Sequence, residues 1–545
     1  MRIIGISPLH DSSVAVINDG ELEYYFKEER LSRSKRDGPP VLAIQKLIET
    51  VKDPVDHVCI AAPTGNDPCV KYIVTQLKKI FNCPVTDYCQ HHHMAHASLA
   101  FFNSGFEDAL VFVIDRDGSL IDDIAREAET VFYVDREQVF NTLHKNFWVT
   151  DVGSESDLKR FALAKLFKDQ RRDYNVDSSM SVVKVYESAT SLINQKPLEN
   201  GKTMGLASYG QDQEFPNLFE NGRPLDHKFL HAQFVMDGHN TPMYKDYILK
   251  IAPAVTEENF QFYADYAYQV QKQTQAVVLD MIQHWVEKTG IKNVCVTGGY
   301  GLNVVANQHY IKNLPKVNFY FEPLADDSGN SIGSALHLYK TLSGDKLIRP
   351  IKHTFVHGVE SVIPDDIGTA CDERAIAKLL SEQKTVAVFN GLAESGPRAL
   401  GNRSILFDAR NPDAKNIVNT IKRREWYRPF AAMVLEEDFH QHFETLGLTN
   451  SEFMTVSFNV LDTNLPGVTH VDNTCRVQTV SENMPHIHTL LHEFKKLTGT
   501  AVLLNTSFNL AGEPLVDTFD DAIRTFNESE IDVLWIPQLK RCIIK

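Results

Sequence analysis

The sequence predicts an α/β protein in two units, the first over 1–350 and the second over 351–545. Two observations lead there. Along the first 330 residues, short apolar runs alternate with amphipathic, helix-like segments, the pattern of strands connected through helices. A polar stretch with Gly and Pro, TLSGDKLIRPIKHT around 341–354, then precedes a further set of apolar runs, in a chain whose 545 residues exceed a single core.

The elements follow in order. IIGIS, SVAVIND and ELEYYFKEE are strand-like, and Asn18-Asp19-Gly20 joins the second to the third as a hairpin turn. A helix pattern opens after Pro40, HVCIAAP is an apolar strand, a polar helix runs through Lys79, and ALVFVID at 109–115 is again a strand. Between Ser119 and Val182 the pattern loosens. There SDLKRFALAKLFKDQRRDYN at 156–175 carries six Lys/Arg against three Asp, with Leu158, Phe161, Leu163 and Leu166 at helical spacing, as in an amphipathic insertion packed on one side. Strand VCVTGG at 294–299, helix LNVVANQHYI and strand VNFYFEP complete the unit. This order of hairpin, helix, strand and helix resembles the ribonuclease-H-like lobes of sugar kinases and actin-like ATPases, with a second lobe at 294–323. A two-lobed, actin-like N-terminal domain is therefore expected.

Charge and composition exclude some classes. With 55 Lys+Arg against 71 Asp+Glu the formal charge is −16, which argues against a broad surface for polymeric nucleic acid. The N-terminus carries a histidine and acids where a signal peptide needs an apolar core, and no apolar run is long enough to span a membrane. A soluble, cytoplasmic protein is expected. The eight cysteines contain no C-x-x-C pair, so they read as reduced thiols rather than a zinc ribbon or disulfide framework.

The chemistry begins at QHHHMAHASLA. In a helix starting near Gln90, His92 and His96 share a face and can reach one ion, although clustered histidines also occur at polar helix starts. Asp115 closes ALVFVID, and Asp327 sits in FEPLADDSGNSIG, where a strand runs into a Gly-rich turn holding Ser328 and Gly329. Two nitrogen and two oxygen ligands suit a divalent first-row metal such as iron, zinc or manganese, while either Asp alone reads equally well as a cap or turn residue. TGGYGLNVVANQ places Gly298 and Gly299 between a strand and a helix, where backbone amides can approach phosphate or ribose; a tight turn requires the same glycines. GKTMGLASYG at 201–210, with Lys202 and Gly205, reads as a Gly-rich loop without Walker spacing. In the second unit ESGPRALGNRS and IKRREWYRPF bring Arg398, Arg403, Lys422, Arg424 and Arg428 into an otherwise acidic chain. Such a cluster implies a small anion, with Arg476 and the NTSFN loop (Asn505, Ser507) as further donors.

The ordered set HHxxHA at 92–97, GKTMGLASYG, TGGYGLNVVAN, ESGPRALGNRSIL, REWYRPF, RVQTV and NTSFNLAGEPLV resembles the NodU/TobZ-type O-carbamoyltransferases, from residue 1 to about 540. The resemblance implies an actin-like metal- and nucleotide-binding domain, of the kind shared with tRNA threonylcarbamoyl-transferring proteins, followed by a YrdC-like α/β domain. It implies that carbamoyl phosphate and ATP with magnesium form carbamoyladenylate, whose carbamoyl group passes to a hydroxyl of a small molecule or nucleotide. It further implies His92, His96, Asp115 and Asp327 as metal ligands, His10 as general base, and Gly298, Gly299 and Asn303 as the adenosine-contacting turn. Lys202, Gly205, Ser328 and Gly329 join the nucleotide set. The resemblance likewise implies Arg398, Arg403, Lys422, Arg424, Arg428 and Arg476 as the carbamoyl-phosphate pocket, with Asn505 and Ser507 beside them.

Two departures stand out. Where the family has Asp-Gly-x-Gly-Asp/Glu, this chain has Asp115-Arg116-Asp117-Gly118-Ser119, and the usual His-Ser-x-G-x-x-Y segment is reduced to VVKVYESAT. Acceptor recognition is therefore expected to differ, and the basic insertion at 156–175 points toward a phosphorylated or nucleotide acceptor such as a hydroxymethyl pyrimidine. The competing expectations are threonylcarbamoyl transfer to tRNA, against which the acidic charge and the fused Arg-rich unit speak, and a non-catalytic actin-like nucleotide-binding protein.

Overall fold

The computed structural model describes residues 1–65, 67–121, 125–149, 173–177, 181–193, 199–213, 215, 217–224, 255–344, 348 and 354–545. The basic insertion lies outside the described residues except for its last three, and so does most of the stretch expected as a linker. The first sheet contains β1 (Arg2–Ser7), β2 (Ser13–Asn18), β3 (Glu21–Lys27), β4 (His57–Ile60) and β5 (Val85–Asp87), in the order β3-β2-β1-β4-β5. β1, β4 and β5 are parallel. The expected hairpin turn falls between β2 and β3, with Asp19 and Gly20 both left-handed (φ 50° and 87°) as a two-residue turn requires.

A second sheet repeats that order. β6 (Ala109–Ile114), β7 (Ala125–Val134), β8 (Phe140–Val149), β10 (Asn293–Thr297) and β11 (Asn318–Phe321) run β8-β7-β6-β10-β11, with β9 (Asp173–Asp177) beyond β8. β6, β10 and β11 are parallel, and β7 is antiparallel to both β6 and β8. Two sheets with one topology make this the two-lobed, actin-like fold. The second lobe begins at ALVFVID rather than at 294, which corrects the expectation. β7 and β8 were concealed by their charges: Glu127 and Glu129 are buried, the first paired with Lys145, the second accepting from Val182 N at 2.8 Å and Asn146 Nδ2 at 3.1 Å. Paired charges can enter a sheet that unpaired ones would break.

The helices that matter pack through small residues. His92–Ser104 and Asn330–Ser343 lie against each other, and the latter also lies on β1. A Cβ on Gly333 would run into the Ala95 carbonyl oxygen, and one on Gly5 into that of Ser331. GKTMGLA is a helix (Asn200–Ala207), not the expected loop. Its Thr203, Gly205, Leu206 and Ala207 are buried, and it packs against the 30-residue helix Phe260–Thr289, which offsets the poor helix propensity of its glycines.

The chain divides into two compact units, one of Met1–Pro8, Ile17–Glu21 and Pro54–Pro350, the other of Leu9–Val16, Leu22–Asp53 and Ile351–Lys545. The second unit holds a nine-stranded sheet of β12 (Thr369–Ala370), β13 (Val386–Val388), β14 (Ser404–Asp408), β15 (Ala431–Leu435), β16 (Ser457–Asn459), β17 (Thr474–Val480), β18 (Val502–Ser507), β19 (Val533–Ile536) and β20 (Arg541–Ile544). Their order is β12-β20-β19-β13-β14-β18-β15-β17-β16. Alternation places Val386, Val388, Val533 and Trp535 in one core with Ile376, Leu380, Leu490 and Phe494. Ala387, Phe389, Leu534 and Ile536 enter another with Phe519, Ala522 and Phe526. Both faces are covered, which defines an α/β domain.

That unit also buries the charged run Lys27, Glu28, Glu29 and Arg30. Glu28 accepts from the amides of Leu42 and Ala43 at 3.0 and 2.8 Å, at the start of the helix Val41–Thr50. Arg30 Nη2 donates to Gly396 O at 3.2 Å, and Arg33 donates to Leu515 O and Pro514 O at 2.6 and 3.1 Å. Lys27 N donates to His357 Nε2 at 2.9 Å, so the imidazole proton sits on Nδ1, 2.9 Å from Asp517 Oδ1. Burial pushes the Asp517 carboxyl up, but His357, Arg30 and Arg403 more than offset this and bring it down to about 2.

Two outcomes follow from this packing. Gly333→Ala should destabilise the protein by about 1–3 kcal/mol in thermal unfolding, because backbone oxygen, not a flexible side chain, occupies the space. Asp517→Ala should cost about 3–5 kcal/mol in urea unfolding at pH 7, since it leaves buried cations without their counter-charge. The folded carboxyl titrates at about 2, below its unfolded value of roughly 4. Its contribution is thus fully present above about pH 4 and is lost as pH falls toward 2, where wild type and variant should converge.

Candidate metal and anion sites

The helix His92–Ser104 starts where Ser119 Oγ accepts from His92 N at 3.0 Å, and it presents His92 and His96 one turn apart. Asp115 follows the last residue of β6, and Asp327 follows β11 by a short turn. The carboxyl ends of these parallel strands are where open α/β sheets form sites. His92 Nε2 lies 3.3 Å from Asp115 Oδ2 and 3.4 Å from Asp327 Oδ1. His96 Nε2 lies 3.8 and 3.3 Å from the same two atoms. All four ligand atoms fall within 4.8 Å of one another, and the residues are buried. Ligands held about 2.0–2.1 Å from a tetrahedral ion stand roughly 3.3–3.4 Å apart, so the donor set fits a first-row divalent metal in both chemistry and spacing.

Neighbouring groups orient these four. Gly299 N donates to Asp115 Oδ1 at 3.1 Å, leaving Oδ2 facing the imidazoles. Gly298 makes that approach possible, since it is left-handed (φ 80°) and a Cβ there would strike Ile114. The Asn330 amide lies 3.0 Å from His96 Nε2 and 3.4 Å from His92 Nε2. Burial alone would lower the His92 pKa, but Asp327 and Asp115 raise it to about 10. Burial raises the Asp115 pKa, yet His92 and His96 hold it well below the usual carboxylate range. Arg116, where the family pattern has Gly, pairs with carboxylates outside the four: its Nε donates to Glu187 Oε2 at 2.8 Å and its Nη1 lies 3.3 Å from Asp117.

The expected nucleotide residues have local partners. Asn303 caps the helix Val304–Asn313 through Ala306 N at 3.1 Å and exchanges hydrogen bonds with Gln271 at 3.0 and 3.2 Å. Lys202 Nζ lies 2.8 Å from Glu199 on the helix that carries Gly205. The Ser328 amide and hydroxyl both donate to Asp326, and Gly329 sits too close to Leu324 O and Leu99 for any Cβ. His10 stands in the turn after β1, its Nδ1 3.5 Å from Asp11 Oδ2.

In the second unit, strand register assembles the basic cluster. Arg476 on β17 pairs with Ala431 on β15, which pairs with Asn505 on β18, and Arg428 lies just before β15. Arg424 lies over the Phe430 ring at 4.3 Å, with its Nε donating to Asn419 Oδ1 at 2.5 Å. Burial, then Arg428 and Arg476, pull Arg424 well below the ordinary arginine range; burial, with Arg428, brings Arg476 to about 10. Three guanidinium groups therefore repel one another, answered by Glu425 at 3.7 Å from Arg428. Arg476 Nε is buried with no hydrogen-bond partner among the described residues.

Arg403 and Lys422 are placed differently. Arg403 lies over Phe389 at 3.8 Å and donates to the carbonyls of Asn390, Asn402, Gly391 and Asp517 at 2.7–3.1 Å. Lys422 Nζ donates to Ser507 O, to Ser507 Oγ at 3.1 Å, and to Asn509 O and Oδ1 at 3.0 and 2.9 Å. Both hold loops around the cluster. Arg398 is partly exposed in a loop shaped by Glu394, whose Oε1 accepts from the amides of Leu400, Asn402 and Arg403 at 2.7–3.1 Å. Asn505 Nδ2 donates to Ala399 O at 3.1 Å and Gln478 Oε1 at 3.0 Å. Sequence reasoning missed Glu394 and Asn330; the signal for Glu394 was an acid opening a loop whose Gly residues free its amides.

Comparison with known proteins places the chain. Residues 61–336 match the family model described as Carbamoyltransferase N-terminus, and residues 377–541 that described as Carbamoyltransferase C-terminus. Nodulation protein NolNO of Sinorhizobium fredii is 28% identical, covering 96% of this chain and 78% of that protein. Nodulation protein U of Bradyrhizobium diazoefficiens is 34% identical over 45% of this chain and 43% of its own length. The 3'-hydroxymethylcephem-O-carbamoyltransferase of Streptomyces clavuligerus is 33% identical over 43% of this chain and 46% of its own length. With both parts of one transferase matched in order along a single polypeptide, this chain belongs to the carbamoyltransferase family.

Proposed function

We propose that the protein is an ATP-dependent O-carbamoyltransferase that forms carbamoyladenylate from carbamoyl phosphate and ATP and passes the carbamoyl group to a hydroxyl of a small molecule or nucleotide. The observation that carries this is the cluster of Arg424, Arg428 and Arg476. Three partly buried guanidinium groups with one nearby carboxylate favour a compact polyanion, and the planar fork suits phosphate and carboxylate oxygens alike. In this reading Arg403, Lys422 and Glu394 hold the loops that carry the cluster.

With one water consumed, the two donors give carbamoyladenylate, phosphate and pyrophosphate. The acceptor oxygen then bonds to the carbamoyl carbon as AMP leaves, and the hydroxyl proton passes to His10 acting as general base. His92, His96, Asp115 and Asp327 would hold a divalent metal, which when bound supplies fixed positive charge for a nucleotide phosphate. Gly299 N keeps Asp115 Oδ2 turned toward it, and the Asn330 amide, now beside both imidazole Nε2 atoms, would yield those lone pairs to the ion. Burial of the cluster keeps bulk water from competing for those ligands. The name of the Streptomyces relative, which specifies a hydroxymethyl group as acceptor, supports a primary alcohol here too.

Incubation with ATP, carbamoyl phosphate and either a hydroxymethyl pyrimidine nucleotide or a neutral aminoglycoside should yield AMP and an acceptor heavier by one CONH unit, with the nucleotide preferred. Absence of both products would refute the reaction. A preference for the aminoglycoside would refute only the acceptor. Arg428→Ala should raise the KM for carbamoyl phosphate about 10–100-fold, the loss of one charged hydrogen bond, with little change in the KM for acceptor. His92→Ala/His96→Ala should remove one equivalent of tightly bound divalent metal, measured by elemental analysis after dialysis, and should abolish carbamoyl transfer.

A further inference from the structure

The helix Pro485–Thr498 repeats, on an outer surface, the histidine spacing seen at residues 92 and 96. Ile487, Leu490, Leu491 and Phe494 face the core, whereas His488 and His492, one turn apart, have side chains 18% and 42% exposed. Their rings stand 4.6 Å apart at 79°. Glu437 lies over them from the short turn Glu436–Asp438 that follows β15, with Oε1 3.2 Å from His492 Nε2 and 4.0 Å from His488 Nε2. The three ligand atoms all fall within 4.8 Å of one another.

That turn is held in place independently of the three. Asp438, next to Glu437, accepts from Lys495 Nζ at 2.9 and 2.8 Å, and from Gln441 Nε2 at 2.9 Å. The turn that carries Glu437 is therefore anchored to the same helix as the imidazoles, so the backbone is already placed and only the half-exposed Glu437 side chain remains to be ordered on binding. His492 Nε2 lies within hydrogen-bond reach of Glu437 Oε1 at 3.2 Å, whereas His488 Nε2, 4.0 Å from the same oxygen, is beyond it and stands at a separation an ion between the two would close.

We propose that Glu437, His488 and His492 form a second metal site, taking a borderline divalent ion such as Zn2+ with water in the remaining positions. Two imidazoles and one carboxylate match that ion class, and partial exposure leaves the site open to exchange with solvent. None of the three belongs to the buried four-ligand cluster. The ion bridges the turn after β15 to the helix over the sheet, so binding stabilises the folded second unit by mass action.

The test uses the full-length protein, dialysed against metal-free buffer and titrated with Zn2+ against a chromophoric competitor. Wild type should take up one equivalent more than H488A/H492A, and E437Q should bind that equivalent at least several-fold more weakly. Zinc should raise the melting temperature of wild type more than that of H488A/H492A. Equal uptake by wild type and H488A/H492A, with both variants folded by circular dichroism, overturns the proposal. So does full-affinity binding by E437Q, which would exclude the carboxylate as a ligand.

Discussion

Two carboxylates and two imidazoles share a buried space with ligand atoms within 4.8 Å of one another, and the first unit is organised around making that tolerable. Like-charged carboxylates repel, and removing either from water is expensive, so each must face opposite charge from a fixed direction. Topology supplies the directions. β6, β10 and β11 run parallel, so Asp115, the Gly298-Gly299 turn and the loop to Asp327 all emerge at one end of one sheet. The helix bearing both imidazoles is brought close by Gly333, where no side chain separates it from the Asn330–Ser343 helix.

The second unit meets its buried charge in another way. Arg403 and Lys422 are surrounded by backbone carbonyls and amide oxygens, with Glu394 and Asp517 as counter-charge for Arg403, and they tie together loops distant in sequence. Glu394 does the reverse, gathering three backbone amides. These groups are committed to the framework. Arg424, Arg428 and Arg476 are left with more positive charge than their neighbours answer, and that imbalance is the ground on which an anion-binding role is proposed for them.

Much of the framework was legible because local chemistry decides it. The Asp19-Gly20 turn needs two left-handed residues, and the apolar runs at 57–60, 109–114 and 293–297 are strands whatever surrounds them. The strands at 125–149 escaped notice because buried, paired Glu127 and Glu129 look like solvated charges in a linear sequence. GKTMGLA reads as a loop because glycine disfavours helix locally, whereas packing on Phe260–Thr289 overrides that preference. The shared order of the two sheets left no trace in residue identities, since topology constrains pattern and not composition.

What the sequence determined by itself was the inventory: which side chains can ligate metal, which can hold an anion, and the spacing that sets His92 and His96 on one face. Tertiary structure decided which of them act together. Asp115 and Asp327, some 200 residues apart in the chain, face the same imidazoles only because parallel pairing aligns their strand ends. Of six basic residues with similar credentials in the sequence, Arg403 and Lys422 are enclosed by several carbonyl oxygens, Arg424, Arg428 and Arg476 are drawn together by strand register, and Arg398 stays in its loop. Long-range pairing and burial are properties of the folded chain, and no local preference encodes them.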